Sequence, residues 1–435
     1  MFGFSSEEEW RSTARTLPSV LADIAKSKAG CKFREAIVVL WTQMTRAPAP
    51  IIHSYSLITE SRISKAAEYF ESQCGHPAWG FVVEDTDSCD AIVEKIGGLL
   101  RALEILYMST SALGSLPADP VDQWLIRHGD AEVYVVPLAR NAWRRAPRPE
   151  ADMRPFWQRG LTRLRILPVA VDGARVRLYP LPGEFGRTRD PVFGAAVFPG
   201  LTLDVAPDDG RFHVRGVQAP DFEANILNAC ERSHRDGCLA AVFPELTIDD
   251  ASLRAMKVAL MRKPWGGPAV GSGRTPAFIV AGTWHQPCGD HFANVASVLD
   301  GNGFELFTYR KRFAFRHEQV PENIVPGDEL PILVTGYGLI TIAICLDFCI
   351  RSVALPFPHL DVDFVLVPSF GNAATMDGHL RTAYDLLDRC KTRSFVVQQV
   401  PVEEGGCALV LPPATEAQHR PKAVPQPECW RSYPG

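Results

Sequence analysis

The chain has 435 residues, 46% hydrophobic and 22% charged, an ordinary balance for a soluble globular protein with length for about two domains. A net charge of -5 gives no support to nucleic-acid or anionic-membrane binding. The 11 cysteines are scattered, with no CxxC pair and no His/Cys cluster at metal spacing, so no metal, no cofactor and a reducing cytoplasm are expected.

The first ten residues carry Glu7, Glu8 and Glu9 and read as no signal peptide. Ile92, Ile96, Leu99, Leu100, Leu103 and Leu106 recur at helical spacing, and helical patterning dominates up to about residue 150. The apolar run Gly97 to Leu116 is broken by Arg101 and Glu104, which argues for a packed helix rather than a membrane span. Arg140, Arg144, Arg145, Arg148 and Arg154 read as a solvated linker. From 151 to 210 the pattern turns to strands. Leu164 to Val169 and Arg175 to Tyr179 flank Asp172-Gly173, a hairpin signal. This segment is expected to pack on the domain that follows.

From 211 to 435 strands and helices alternate. Phe212 to Val217 reads as a strand, and Asp221 as the cap of a helix that Gly237 stops. Leu239 to Phe243 is an interior strand with Glu245 just beyond it. A helix follows from Asp249 or Asp250 to Arg262, then the strand Ala277 to Thr283. His291 to Leu299 and Phe304 to Tyr309 flank the turn Asp300-Gly301-Asn302-Gly303, and Lys311 comes next. Leu339 to Ile344 is a buried strand ending at Cys345. The strand Phe364 to Val367, the helix Met376 to Lys391, the strand Phe395 to Val400 and a short strand Gly406 to Leu411 complete an α/β layered sandwich.

Three strand ends therefore deliver a carboxylate, an ammonium and a thiol. A free thiol is only a few per cent thiolate at neutral pH. A lysine beside it favours the anion, and a glutamate can take its proton. Attack on a carbonyl or nitrile carbon needs donors for the developing anion, which Lys311 and the backbone N–H of Leu346 can supply. Taken singly, Cys345 reads as a small buried hydrophobe, Lys311 as a solvated strand end and Glu245 as a helix-start carboxylate. One functional reading covers all three.

Pro244-Glu245, Tyr309-Arg310-Lys311 and Ile344-Cys345-Leu346-Asp347, each after an apolar strand, resemble the nitrilase superfamily of carbon–nitrogen hydrolases. Val217 to Asp221 resembles the family's opening strand and helix start, Asn294 its asparagine-bearing strand, and Leu366 to Ser369 the strand after the nucleophile. The resemblance covers roughly Phe212 to Val410. It implies a four-layer α-β-β-α sandwich and hydrolysis of a small amide, carbamoyl compound or nitrile without metal or cofactor. By the same matching Glu245 is the general base, Lys311 the oxyanion stabiliser and Cys345 the nucleophile. Glu318, seven residues after Lys311, matches the second glutamate, and Phe370 and Asn372 fall in the substrate loop. The N-terminal domain resembles no family; it is a candidate contact for a second copy or a protein partner. The alternative from another class is a non-catalytic binding or regulatory module, accessory to a bacterial defence system. Only a short strand and a Pro-rich tail are expected after Val400.

Overall fold

The computed structural model describes residues 4–27, 31–110, 124–138, 160–181, 191–263, 276–317, 319–350, 355–414 and 420–435. Arg140 to Arg154 and Glu318 lie outside the described residues. The chain divides into two compact units. The first is built from Met1–Val169, Glu184–Gly186 and His359–Asp361, the second from Ala170–Gly183, Arg187–Pro358 and Val362–Gly435.

In the first unit, helices Glu7–Ala14, Leu17–Lys26, Lys32–Thr45, Ala49–Leu57, Glu60–Ser72 and Cys89–Thr110 enclose a core that includes Trp10, Leu40, Tyr55, Phe81 and Leu99. The buried Trp10 and Gln43 exchange bonds with each other's backbone carbonyls at 2.9 Å. Strands β1 (Leu125–His128), β2 (Ala131–Pro137) and β3 (Leu164–Pro168) form an antiparallel sheet within this unit. No described helix is long and apolar enough to cross a membrane.

The second unit contains β4 (Ala170–Val171), β5 (Ala174–Pro180), β6 (Val192–Ala196), β7 (Thr202–Asp208), β8 (Arg211–Gln218), β9 (Ala240–Val242), β10 (Phe278–Cys288), β11 (His291–Asp300), β12 (Glu305–Arg310), β13 (Arg316–His317), β14 (Val320–Pro321), β15 (Glu329–Thr335), β16 (Gly338–Ile342), β17 (Phe364–Phe370), β18 (Arg393–Gln399), β19 (Ala408–Leu411), β20 (Val424–Gln426) and β21 (Trp430–Pro434). Two sheets carry the fold, in the orders β12-β11-β10-β9-β6-β21 and β20-β19-β18-β17-β16-β15-β5-β4. Their inner faces interdigitate: Phe193, Val242, Val280 and Val298 from one meet Ile342, Phe364, Leu366 and Phe395 from the other. Helices Phe222–Arg235 and Asp250–Arg262 cover the outer face of the first sheet through Ile226, Cys230, Met256 and Leu260. The apolar face of Ala373–Cys390 lies against β18 of the second. The second unit is thus a four-layer α-β-β-α sandwich.

Several expectations change. The segment 151–210 is divided: β3 belongs to the first unit, whereas β4 and β5 join the eight-stranded sheet and β6 the six-stranded one. Asp172-Gly173 does make a tight turn, with φ 49° and 79°, but it joins β4 to β5; Leu164–Pro168 pairs with β2 instead. Phe212 to Val217 lies in β8, which pairs with β7 in a two-stranded ribbon outside the two main sheets. The strand the sandwich uses there is β6, parallel to β9. Asp221 sits at the helix start with φ 49° and makes no side-chain cap. The C-terminal tail contributes β20 and β21, so the six-stranded sheet is completed by the last described residues. Gly194 makes this possible, because a Cβ there would lie 2.0 Å from the Trp430 ring.

Candidate active site

Glu245 leaves β9 through Pro244 and a turn in which Leu246 takes φ 57°. Thr283 Oγ1 accepts the Leu246 N–H at 3.0 Å. Gly282 is needed beneath this turn, since a Cβ would approach the Pro244 carbonyl to 2.6 Å. Lys311 follows β12, and its N–H donates to the Asn294 carbonyl at 2.8 Å. Cys345 follows β16 and is tied to β17 by a 2.9 Å bond from its N–H to the Pro368 carbonyl. Its backbone is strained, with φ 45° and ψ -103°, at the start of the short helix Leu346–Cys349. Relative exposures of Glu245, Lys311 and Cys345 are 1%, 1% and 2%, so all three side chains are buried.

Lys311 Nζ donates to Glu245 Oε1 and to Glu322 Oε2, both at 2.7 Å. Burial alone would depress the ammonium; Glu245 and Glu322 more than offset it and hold it well above the ordinary lysine value. Asn294 Nδ2 ties the carboxylates together, donating to Glu245 Oε1 at 3.0 Å and Glu322 Oε1 at 2.9 Å. His285 completes the set. Its Nδ1 accepts the Val214 N–H of β8 at 2.8 Å, which leaves Nε2–H to donate to Glu322 Oε1 at 2.9 Å. The ribbon β7–β8 thereby fixes the tautomer of a residue that holds Glu322. Although burial pushes Glu322 upward, Lys311 and His285 keep it well below the usual carboxylate range.

Phe370 links the ion cluster to the thiol. Its N–H donates to Glu245 Oε2 at 3.1 Å, and its carbonyl accepts from Cys345 Sγ at 3.7 Å. Burial, then the Glu245 charge, raises the thiol well above its ordinary value, while Lys311 pulls it down. The resting sulfur is therefore held as a thiol. Asp347, two residues on, accepts from Tyr309 Oη at 2.8 Å and from the backbone N–H groups of Arg312 and Phe313 at 3.0 Å each, pinning the loop after Lys311. Burial pushes its carboxyl up to about 6.

The geometry brings Glu245, Lys311 and Cys345 together, with the Phe370 backbone between them. The second carboxylate on Lys311 is Glu322, eleven residues on in sequence; the intervening β13–β14 pair lengthens the spacing. Its signal was a second Pro-Glu, Pro321-Glu322, after a strand. The Asn372 side chain is committed elsewhere: it caps helix Ala373–Cys390 by accepting the Thr375 N–H at 3.2 Å, and donates to Glu404 Oε1 at 3.2 Å. His285 is a lone histidine on β10 and carries no distinguishing spacing; Tyr309 and Asp347 fall within the motifs that carry the resemblance, which assigns them no role. Among the described residues no group of three His, Cys, Asp or Glu side chains could hold a metal.

No protein-family model and no curated protein matches the chain. Solved structures similar to it include an amidase from Nesterenkonia sp., 17% identical over 55% of this chain and 92% of that one, with a TM-score of 0.38. A second is a mutant of the Nesterenkonia sp. AN1 amidase showing covalent addition of the acetamide moiety of fluoroacetamide at the active site cysteine; identity is 16%, coverage 56% and 94%, and TM-score 0.38. A third, a mutant of the Nesterenkonia AN1 amidase from the nitrilase superfamily, is 16% identical over 54% and 90%, with a TM-score of 0.38.

Proposed function

We propose that the second unit hydrolyses a carbon–nitrogen bond other than a peptide bond, in a small amide, carbamoyl compound or nitrile, through a thioester on Cys345. The observation that carries this reading is the closed cluster in which Lys311 contacts Glu245 at 2.7 Å and Phe370 joins Glu245 to Cys345. Glu245 takes the thiol proton as sulfur attacks the substrate carbon, because the resting thiol is too basic to ionise unaided. The Lys311 ammonium has two donors engaged by carboxylates; its third is available to the developing oxyanion, with the Leu346 N–H as the second donor. Protonated Glu245 then gives its proton to departing ammonia and later activates the water that cleaves the thioester. Glu322 and His285 position the lysine and take no proton. Asn372 enters as the cap of helix Ala373–Cys390 and Phe370 as the backbone link between base and nucleophile.

Ammonia release across a panel of small amides, carbamoyl compounds and nitriles tests the reading. Turnover that disappears in Cys345→Ala, with the melting temperature preserved, is expected. No release from any member of the panel by folded protein would favour the non-catalytic alternative.

A further inference from the structure

Beside Cys345 lie two polar side chains that the reaction above does not use. Ser369 and His379 are both fully buried. Ser369 ends the run Val367-Pro368-Ser369 on β17, next to the residue whose carbonyl holds the Cys345 N–H. Its hydroxyl is within hydrogen-bonding reach of the Cys345 sulfur and lies 2.9 Å from His379 Nε2. His379 projects from helix Ala373–Cys390, with the Phe348 ring centroid at 5.8 Å. Its Nδ1 meets no hydrogen-bond partner among the described residues.

We propose that Ser369 and His379 form a buried relay that supplies the Cys345 sulfur with a hydroxyl donor, His379 being the positioning residue that aims it. The argument is one of satisfiable bonds. A neutral imidazole has one N–H and one acceptor nitrogen. Were the proton on Nδ1, a buried N–H would be left unpaired and the Ser369 hydroxyl would turn towards Nε2, away from sulfur. With the proton on Nε2, that N–H donates to Ser369 Oγ, and the hydroxyl proton is free for Cys345. The unmatched group is then only a lone pair, the cheaper outcome. Burial holds the imidazole neutral, pushing it down to about 3, so the doubly protonated form does not compete. The thiol's own proton is directed at the Phe370 carbonyl, so sulfur can accept from Ser369 while it donates to Phe370. As the proton leaves, the hydroxyl bond becomes charge-assisted and strengthens. The charged or titratable groups facing the sulfur are Glu245, Lys311 and Cys349.

This inference rests on Cys345 as the nucleophile, but its test needs no turnover. The rate of Cys345 alkylation by iodoacetamide, followed by peptide mapping, is measured across pH. Ser369→Ala and His379→Leu are each expected to slow the reaction about tenfold at neutral pH and to move its midpoint up by about one unit. The double variant loses no more than either single one, and His379→Gln, whose amide N–H can replace Nε2–H, recovers most of the rate. A His379→Leu profile that superimposes on that of the unaltered chain, or losses that multiply in the double variant, overturns the relay. If His379→Leu does not fold, nitrogen NMR of the unaltered chain decides the tautomer: Nε2–H is expected, and Nδ1–H refutes the proposal. A chain with this alkylation behaviour and no amide turnover would refute the hydrolase reading alone. Normal turnover with variant-independent profiles would refute the relay alone.

Discussion

Each unit buries a glutamate beside a cation, and the two are used differently. In the first unit, Glu104 accepts the N–H groups of Thr162, Arg163 and Leu164 and the Thr162 hydroxyl, all within 2.6 to 3.0 Å. Arg101 spends itself on Glu60 at 2.6 Å and the Gly160 carbonyl at 2.8 Å. Both oxygens of Glu104 are taken up by the backbone N–H groups of residues 162–164 and the Thr162 hydroxyl, so the group is a staple for the start of β3. In the second unit, Glu245 Oε1 takes Lys311 and Asn294, whereas the one bond to Oε2 is the Phe370 N–H. That oxygen keeps acceptor capacity on the side of the thiol. A buried charge is thus not in itself a site; unspent hydrogen-bonding capacity aimed at a reactive atom is what separates the two.

The largest effect should come from exchanging the two carboxylates' fates. Glu245→Gln is expected to lower ammonia release by about 10²–10⁴-fold with little change in melting temperature. Glu104→Ala strands three N–H groups, that of Leu164 buried, and should destabilise the first unit by about 3–5 kcal/mol, read by denaturant unfolding. Equal effects of both changes on stability would erase the distinction. Next in size, Lys311→Ala should cost about 10²–10³ in kcat, and Glu322→Gln less, because Glu322 only positions the ammonium. A Glu322→Gln loss as large as that of Glu245→Gln would make Glu322 a proton-transfer group.

The smallest effect concerns acid. Asp347 binds its proton more tightly folded, at about 6, than unfolded, near 3.8, so its contribution falls as pH rises between these values, by about 3 kcal/mol. His379 is depressed to about 3 from 6.5, so the unfolded chain binds more protons and stability falls as pH drops through that window. The slopes oppose each other between about pH 4 and 6. Asp347→Asn should therefore steepen the loss of stability on acidification, and His379→Gln should flatten it. Parallel shifts in urea midpoint for both variants would contradict these assignments.

The three strand ends were legible because an apolar run that stops at Glu, Lys or Cys announces itself through period and polarity. The helix Asp250–Arg262 was legible through its cap, with Asp249 accepting the Ser252 N–H at 2.8 Å. The two strands that close the six-stranded sheet were not. β6 reads Val-Phe-Gly-Ala-Ala, weak in strand formers, and owes its place to Phe193, whose ring lies 5.1 Å and 5.5 Å from those of Phe364 and Phe395. β21 pairs with it across more than two hundred residues of sequence, which no local pattern can reveal. Glu322 was displaced from its expected spacing by a two-residue hairpin, and His379 sits on the apolar face of a helix, where periodicity reads only core.

The central claim is a covalent one, that sulfur of Cys345 carries the acyl group. Rapid acid quenching during turnover of a small amide, followed by intact-mass and peptide analysis, tests it most directly. An acyl adduct confined to Cys345, absent in Cys345→Ala and accumulating in Glu245→Gln if that variant acylates, is the predicted result. Turnover with the acyl group on another residue, or turnover that persists in Cys345→Ala, would contradict the account.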